Sequence, residues 1–341
     1  MPLGDIKATA KRKVKEKAIS TAKRKISNRG SGGGKGKKSD KKNFSPILIV
    51  VLVLVVIGAA FAAWHLGLLD GLLQGEEETV PTIAAVDGNM EIHFIDVGQA
   101  DAVFIITSGG TMLIDAGSRR SGPRVVEYLQ ELGIREITYV VGTHPHEDHI
   151  GGMDLVINAF DIGTFMMPDV THTTRVFERM IDALESEDNI VGDVIAPTRG
   201  DVFEMGGAVF TILHPSPDHE TNNLNDWSIS KRVAFGNFSM ITTGDAEIPA
   251  EREMLELAGQ YLNADVLRLG HHGSRTSTMQ EFFDAVNPSI SIIQVGADNR
   301  YGHPHPCVME RIEGTRIYRN DLHGDIVLTT DGTNIDISTA R

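Results

Sequence analysis

The sequence predicts a mixed α/β (α+β) domain carried behind a single membrane-spanning helix. Three observations predict it. From Met90 onward, short apolar runs alternate with segments whose apolar residues recur at helical spacing. Upstream, the 23 residues from Ile47 to Leu69 are apolar except for small residues and His65. Before them, residues 1–45 hold fifteen Lys/Arg against three Asp/Glu, although the whole chain has a formal net charge of −14.

The 341 residues are 41% hydrophobic and 23% charged, which excludes a wholly disordered chain, a collagen and a long coiled coil. The single cysteine, Cys307, excludes an intrachain disulfide framework and a multi-cysteine zinc ribbon. Residues 1–45 are low in large apolar groups and cannot bury enough surface to offset chain entropy, so they read as a disordered basic tail. Residues 46–69 read as a transmembrane helix, because the 23 residues from Ile47 to Leu69 at 1.5 Å each reach about 35 Å against a hydrocarbon core of about 30 Å. Lys41 and Lys42 lie before it and Glu76, Glu77 and Glu78 after it, which places the N-terminus in the cytoplasm and the C-terminal part outside. A cleaved signal at Ala60-Phe61-Ala62 is the competing reading. Residues 70–89 read as a Gly- and Glu-containing linker, and 90–341 as the globular domain, with 17 basic and 43 acidic side chains beyond residue 45.

Within that domain, residues 90–97, 102–107 and 111–117 predict strands, the last ending at a glycine turn. Residues 123–133 predict a helix that stops at Gly133, followed by a strongly apolar strand over 137–144. Helices are expected over 151–160 and 174–188, then strand-rich sequence from Val202 to Thr243. A helix over 250–262, a strand over 264–270, a helix over 279–286 and a strand over 290–296 follow. A short helix over 308–314 and strands near 325–338 close the chain.

The chemistry concentrates at strand ends. His144-Pro145-His146-Glu147-Asp148-His149 directly follows an apolar strand, and its imidazoles and carboxylate suit zinc, iron or manganese. His144 and His146 are placed to bind one ion, Asp148 and His149 a second. Asp245 ends another apolar strand, where one carboxylate can bridge two ions, and His271 and His272 follow a third. Asp96 and Asp115, at strand ends, are candidates to fix imidazole tautomers.

The motifs HxHxDH, TGDAE and GHHGS in this order resemble the metallo-β-lactamase superfamily. More narrowly, MEIHFIDVGQADA, LIDAG, GTHPHEDHIGG, LHPSP, TGDAE, GHHGSRTS and YGHPH resemble the hydrolase domain at the C-terminus of ComEC-type DNA-uptake proteins. The resemblance covers nearly all of 90–341. It implies an αββα sandwich with a dinuclear metal site at its edge, holding two divalent ions, Zn or Mn, with Fe not excluded. It implies His144, His146, Asp148, His149, Asp245 and His271 as ligands, His214 in LHPSP as a further one, and His272 as a group that touches substrate. Ala100 stands where the subgroup has glycine, and Trp227 interrupts its NDNS motif. One apolar span cannot form the multi-span channel of those proteins.

Two such ions lower the pKa of a shared water, and the resulting hydroxide attacks phosphorus in line, with Asp148 orienting it. His303 is the candidate to meet a phosphate or protonate a leaving group. Ser274, Thr276 and Ser277 are candidates to donate to phosphate oxygens or to cap the next helix. No GxSxG elbow is present. The first functional reading is a membrane-anchored extracytoplasmic phosphodiesterase or nuclease acting on DNA. Its charge needs a local basic groove, for which Arg119, Arg120, Arg124, Arg268, Arg275, Arg300 and Arg311 are candidates. The alternatives are a hydrolase of a small ester, phosphocholine ester or lactone, and a metal-stabilised binding protein without turnover. The basic tail is suited to anionic lipid headgroups, and no protein partner is implied.

Overall fold

The computed structural model describes residues 88–186 and 188–341, so the expected tail, the expected span and nearly all of the expected linker lie outside the described residues. Among the described residues no helix is long and apolar enough to cross a membrane.

Two mixed sheets form the domain. The first has the order β15-β14-β1-β2-β3-β4-β5-β6, with β1 Met90–Phe94, β2 Val103–Thr107, β3 Gly110–Ile114, β4 Glu136–Val141, β5 Asp161–Met166, β6 Val191–Ile195, β14 Ile326–Thr330 and β15 Ile335–Thr339. The second has the order β13-β12-β11-β10-β9-β8-β7, with β7 Val202–Met205, β8 Ala208–His214, β9 Ser230–Phe235, β10 Phe238–Thr242, β11 Val266–Arg268, β12 Ile290–Ile293 and β13 Arg316–Arg319. The helices are α1 Gly122–Glu131, α2 Glu147–Ile150, α3 Met153–Ala159, α4 Arg175–Glu185, α5 Ile248–Ala258, α6 Gln280–Val286, α7 Pro306–Arg311 and α8 Asn320–His323.

The period-2 alternation of the strands builds four layers. Val103, Ile105, Met112 and Ile114 face Phe210, Val233, Met240 and Ile292 in the core between the sheets. Their neighbours Phe104 and Leu113 point the other way, into a second core with Val125, Leu129, Met153, Val156 and Phe177 from α1, α3 and α4. On the far side, Ile241, Leu267 and Ile293 pack against Met254, Phe282, Val286 and Val308 from α5, α6 and α7. This is the expected αββα arrangement.

The topology then gathers the chemistry. β3 pairs parallel with β4, and β10, β11 and β12 pair parallel with one another. Their carboxyl ends feed loops to one edge of the sandwich. Gly152 lets two of these loops touch, since a Cβ there would meet the Ala116 carbonyl at 2.2 Å.

Candidate metal centre

The loop after β4 supplies four donors in six residues. His144 Nε2 and His146 Nδ1 lie 3.0 Å apart. His149 is fully buried and donates from Nδ1 to Asp115 Oδ2 at 2.8 Å. That bond fixes a proton on Nδ1 and points Nε2, the nitrogen open to a metal, at Asp245 Oδ2, 3.1 Å away. Asp115 also accepts from Thr143, through the backbone N–H at 2.8 Å and the hydroxyl at 2.8 Å. Its φ of 60°, strained for a residue with a Cβ, turns the carboxylate back under the histidine loop. Thr143 Oγ1 lies 3.2 Å from His144 Nδ1, so one aspartate anchors both histidines.

The second sheet supplies the other side. Asp245, after β10, is buried, and its N–H donates to Ser228 Oγ at 3.0 Å. Its Oδ2 stands 3.9 Å from His144 Nε2, 3.8 Å from His272 Nε2 and 3.7 Å from His271 Nε2. It therefore faces both halves of the cluster. His272 donates from Nδ1 to the Gln294 carbonyl at 2.9 Å, which leaves Nε2 free, 3.4 Å from Asp148 Oδ2. His271 instead turns Nδ1 to Glu247 Oε1 at 3.2 Å and is partly exposed. Both histidines hold left-handed backbone, with φ of 50° and 55°.

The four groups Asp148, His149, Asp245 and His272 bring one donor atom each within 4.8 Å of one another. His149 Nε2, His272 Nε2 and Asp245 Oδ1 are buried without a hydrogen-bond partner. Buried polar atoms left unpaired cost about 1–3 kcal/mol each, and a divalent ion satisfies all three. Donors at 3.0–3.4 Å match the separation between neighbouring ligands of an ion bound at about 2.0–2.2 Å. The residues fit two divalent ions, with His144 and His146 on one side, Asp148, His149 and His272 on the other, and Asp245 between them; the expected ligand His271 also turns its Nε2 to Asp245, so His272 joins it as a candidate and does not merely touch substrate.

The electrostatics agree. Burial opposes the Asp245 charge, but His149 and His272 outweigh it and hold its pKa well below the usual carboxylate range. Burial likewise opposes charge on His149, and Asp245, Asp115 and Asp148 overcome it and raise its pKa. Burial and the His149 charge push His144 well down. The cluster thus holds protons where a metal would displace them.

A cleft of about 560 Å³ opens over this cluster, lined by Gln99, Asp148, Asn225, Asp245, His271, His272, Asn299, Arg300, Tyr301 and His303 among others. Gln99 accepts from the Gly296 N–H at 3.2 Å through Oε1, which turns its amide nitrogen to His303 Nδ1 at 3.4 Å. His303 then carries its proton on Nε2. Burial and the neighbouring His272 and His271 push its pKa down to about 4.

Other expected site residues lie elsewhere. His214 donates from Nε2 to the Asp226 carbonyl at 2.7 Å and turns Nδ1 towards Glu253, in a separate cluster with His219. Asp96 does not touch an imidazole; it pairs with Arg341 at 2.6 Å. Ser274 bonds Thr276, Thr276 bonds Glu247 at 2.7 Å and Ser277 bonds the Ala246 carbonyl, while Met279 caps α6 without a side-chain bond. The arginine groove is not assembled. Arg268 is buried against Asp101, Arg119 pairs with Asp154, Arg124 with Asp325, and Arg311 bonds the Thr278 carbonyl. Of the seven arginines, Arg300 is the one among the residues that line the cleft.

Sequence reasoning missed the Asp101–Arg268 pair and Gln294. Arg268 also donates to the Gly244 carbonyl at 2.8 Å, next to Asp245, while Asp101 Oδ1 lies 3.3 Å from His272 Nδ1. The pair ties the loop before β2 to the second sheet. Its signal was a charged residue inside the apolar run VLRLG, which has to find a buried partner.

Residues 95–296 match the metallo-beta-lactamase superfamily. ComE operon protein 3 of Bacillus subtilis (strain 168) is 30% identical over 257 residues, covering 69% of this chain and 32% of that protein. Competence protein ComA of Neisseria gonorrhoeae is 27% identical over 289 residues, covering 82% of this chain and 38% of that protein. The chain thus spans about a third of the length of these curated relatives. Among solved structures, the metallo-beta-lactamase fold protein YhfI from Bacillus subtilis aligns at a TM-score of 0.46 and 12% identity, over 74% of this chain and 100% of that one. By its matched family and its layered fold, with a buried His/Asp donor cluster at the sandwich edge, this chain belongs to the metallo-beta-lactamase superfamily, among the relatives of the ComEC-type competence proteins.

Proposed function

We propose that the domain is a two-metal phosphodiesterase that cleaves DNA or another nucleic acid, held outside the cytoplasmic membrane by the helix expected at 46–69. One observation carries the reading: Asp245 faces two groups of donors at the floor of an open cleft. Two divalent ions held by these residues would supply Lewis acidity that activates a water and offsets charge on the phosphoryl group. Asp148 and Asp245 hold the cluster's charge, and Asp115 keeps the His149 lone pair aimed inward. His303, protonated on Nε2, donates to a phosphate oxygen or to the leaving group. Tyr301 is half exposed, its ring stacked 5.6 Å from His303, and the Arg300 guanidinium lies 5.1 Å from the Tyr301 ring centroid. An aromatic and a cation beside the cleft suit a base stacked next to the scissile phosphate.

A second reading, a phosphocholine ester or lactone as substrate, is favoured by the cleft volume, which is that of a small-molecule site, and by the unassembled arginine groove. The full chain in detergent, given Mn²⁺ or Zn²⁺, should cut labelled single-stranded DNA and leave p-nitrophenyl phosphocholine and lactones untouched. Turnover of a small ester without DNA cleavage would move the assignment to the second reading. Asp148→Asn and a chelator should each abolish whichever activity is seen.

A further inference from the structure

A second cluster of metal-binding groups lies away from the cleft. His214 ends β8, His219 sits in the loop that follows, and Glu253 projects from α5. Their donor atoms lie within 4.8 Å of one another, and no residue is shared with the cluster around Asp245. His214 is fully buried, and its Nε2 donates to the Asp226 carbonyl at 2.7 Å. That bond fixes the tautomer and leaves Nδ1 as a lone pair. Nδ1 is buried without a hydrogen-bond partner, while His219 turns its own Nδ1 to Glu253.

Glu253 Oε2 stands 3.7 Å from His214 Nδ1 and 3.1 Å from His219 Nδ1. A tetrahedral zinc with bonds of about 2.0–2.2 Å separates neighbouring donors by about 3.4 Å. The two imidazoles meet edge to face, with centroids 4.5 Å apart. A hydrogen-bonded histidine turning its other nitrogen inward is the arrangement that orients a metal ligand. A cleft of about 720 Å³, lined by Thr198, Pro215, Ser216, His219, Thr221 and Trp227, gives an ion and its water access.

From this geometry we infer that His214, His219 and Glu253 form a third metal site, for a zinc ion bound by two imidazoles and one carboxylate, with the remaining position open to water. The site is structural. It ties the end of β8 to α5, and through the Asp226 carbonyl it steadies the turn at Asn225–Trp227. That turn leads into Ser228, whose hydroxyl accepts from the Asp245 N–H. Zinc here therefore braces the backing of the main cleft without entering it.

The full chain, stripped and dialysed against equimolar-excess Zn²⁺, should hold one zinc per chain more than either His219→Gln or Glu253→Gln, by elemental analysis. Both variants keep every donor of the main cluster. Equal zinc content in wild type and both variants would overturn the inference. If either variant loses its far-ultraviolet dichroism, crystals of the zinc-loaded wild type decide: an anomalous peak between the three side chains is expected, and its absence at saturating zinc overturns the inference. Neither readout depends on which substrate the main cleft cleaves.

Discussion

The two halves of the cleft reach the same point by opposite means. The half built on β3 and β4 concentrates its donors in one loop, and Asp115 and Thr143 hold that loop from directly beneath. The half built on β10, β11 and β12 spreads Asp245, His272 and His303 over three loops. It holds them by contacts that cross the sandwich: Arg268 to Asp101, and the Gln294 side chain to the Ala102 carbonyl at 2.9 Å. Local sequence supplies ligands, and tertiary contact sets the distance between the halves.

Removing the group the halves share should have the largest effect. Asp245→Asn should bring activity to background and lower the bound metal at the cleft. Activity retained above a tenth of wild type would separate the halves and refute the shared role. Cutting the tie between them comes next. Arg268→Met leaves Asp101 buried without its guanidinium partner, which costs about 3–5 kcal/mol in unfolding free energy. The double variant Arg268→Met/Asp101→Leu should recover most of that loss, and a failure to recover would mean that Arg268 acts on something other than Asp101.

These two predictions rest on residues of unequal legibility. HPHEDH was legible because four donors lie within six residues, and Asp245 because it ends an apolar strand. The resemblance names His271 as ligand and His272 as a substrate contact, and that both turn Nε2 to Asp245 was not legible. Both adopt left-handed backbone, and the Gln294 carbonyl and Glu247 carboxylate that sort them come from distant segments. Asp101 and Arg268 are 167 residues apart, and nothing in either local segment names the other. The strands missed in the sequence follow the same logic. β6 and β13 are edge strands, half-buried and interrupted by Asp193 or flanked by Arg316 and Arg319, so their alternation is faint. β5 is internal, but its Gly163 packs against the Thr138 backbone where a Cβ would meet the carbonyl at 2.7 Å, and a glycine carries no apolar signal.

A smaller effect is expected from groups that act on one half alone. His303→Ala should lower kcat about 100-fold with metal content unchanged. Loss of metal would instead make His303 a ligand. Asp115→Asn should weaken metal affinity about 10–100-fold, because the His149 tautomer is no longer fixed by a carboxylate. Equal affinity in a metal titration would remove Asp115 from the site.

The smallest effect is a pH dependence confined to the second half. Burial pushes the Glu251 carboxyl on α5 up to about 7, against the N–H groups of Met279 and Thr278 that donate to it. Between the usual carboxylate pKa and about 7, the unfolded chain has released this proton and the folded chain retains it. Stability from this group therefore falls as pH rises through that window and is level above it, by at most about 3 kcal/mol. Glu251→Gln should flatten that part of the pH–stability curve, and an unchanged slope would assign it to another group.

The most direct test of the account is single-turnover cleavage of labelled single-stranded DNA by the full chain with Mn²⁺, wild type beside Asp245→Asn. The account predicts metal-dependent cutting by the wild type and none by the variant. Equal cutting by both would contradict a catalytic centre assembled from the two halves.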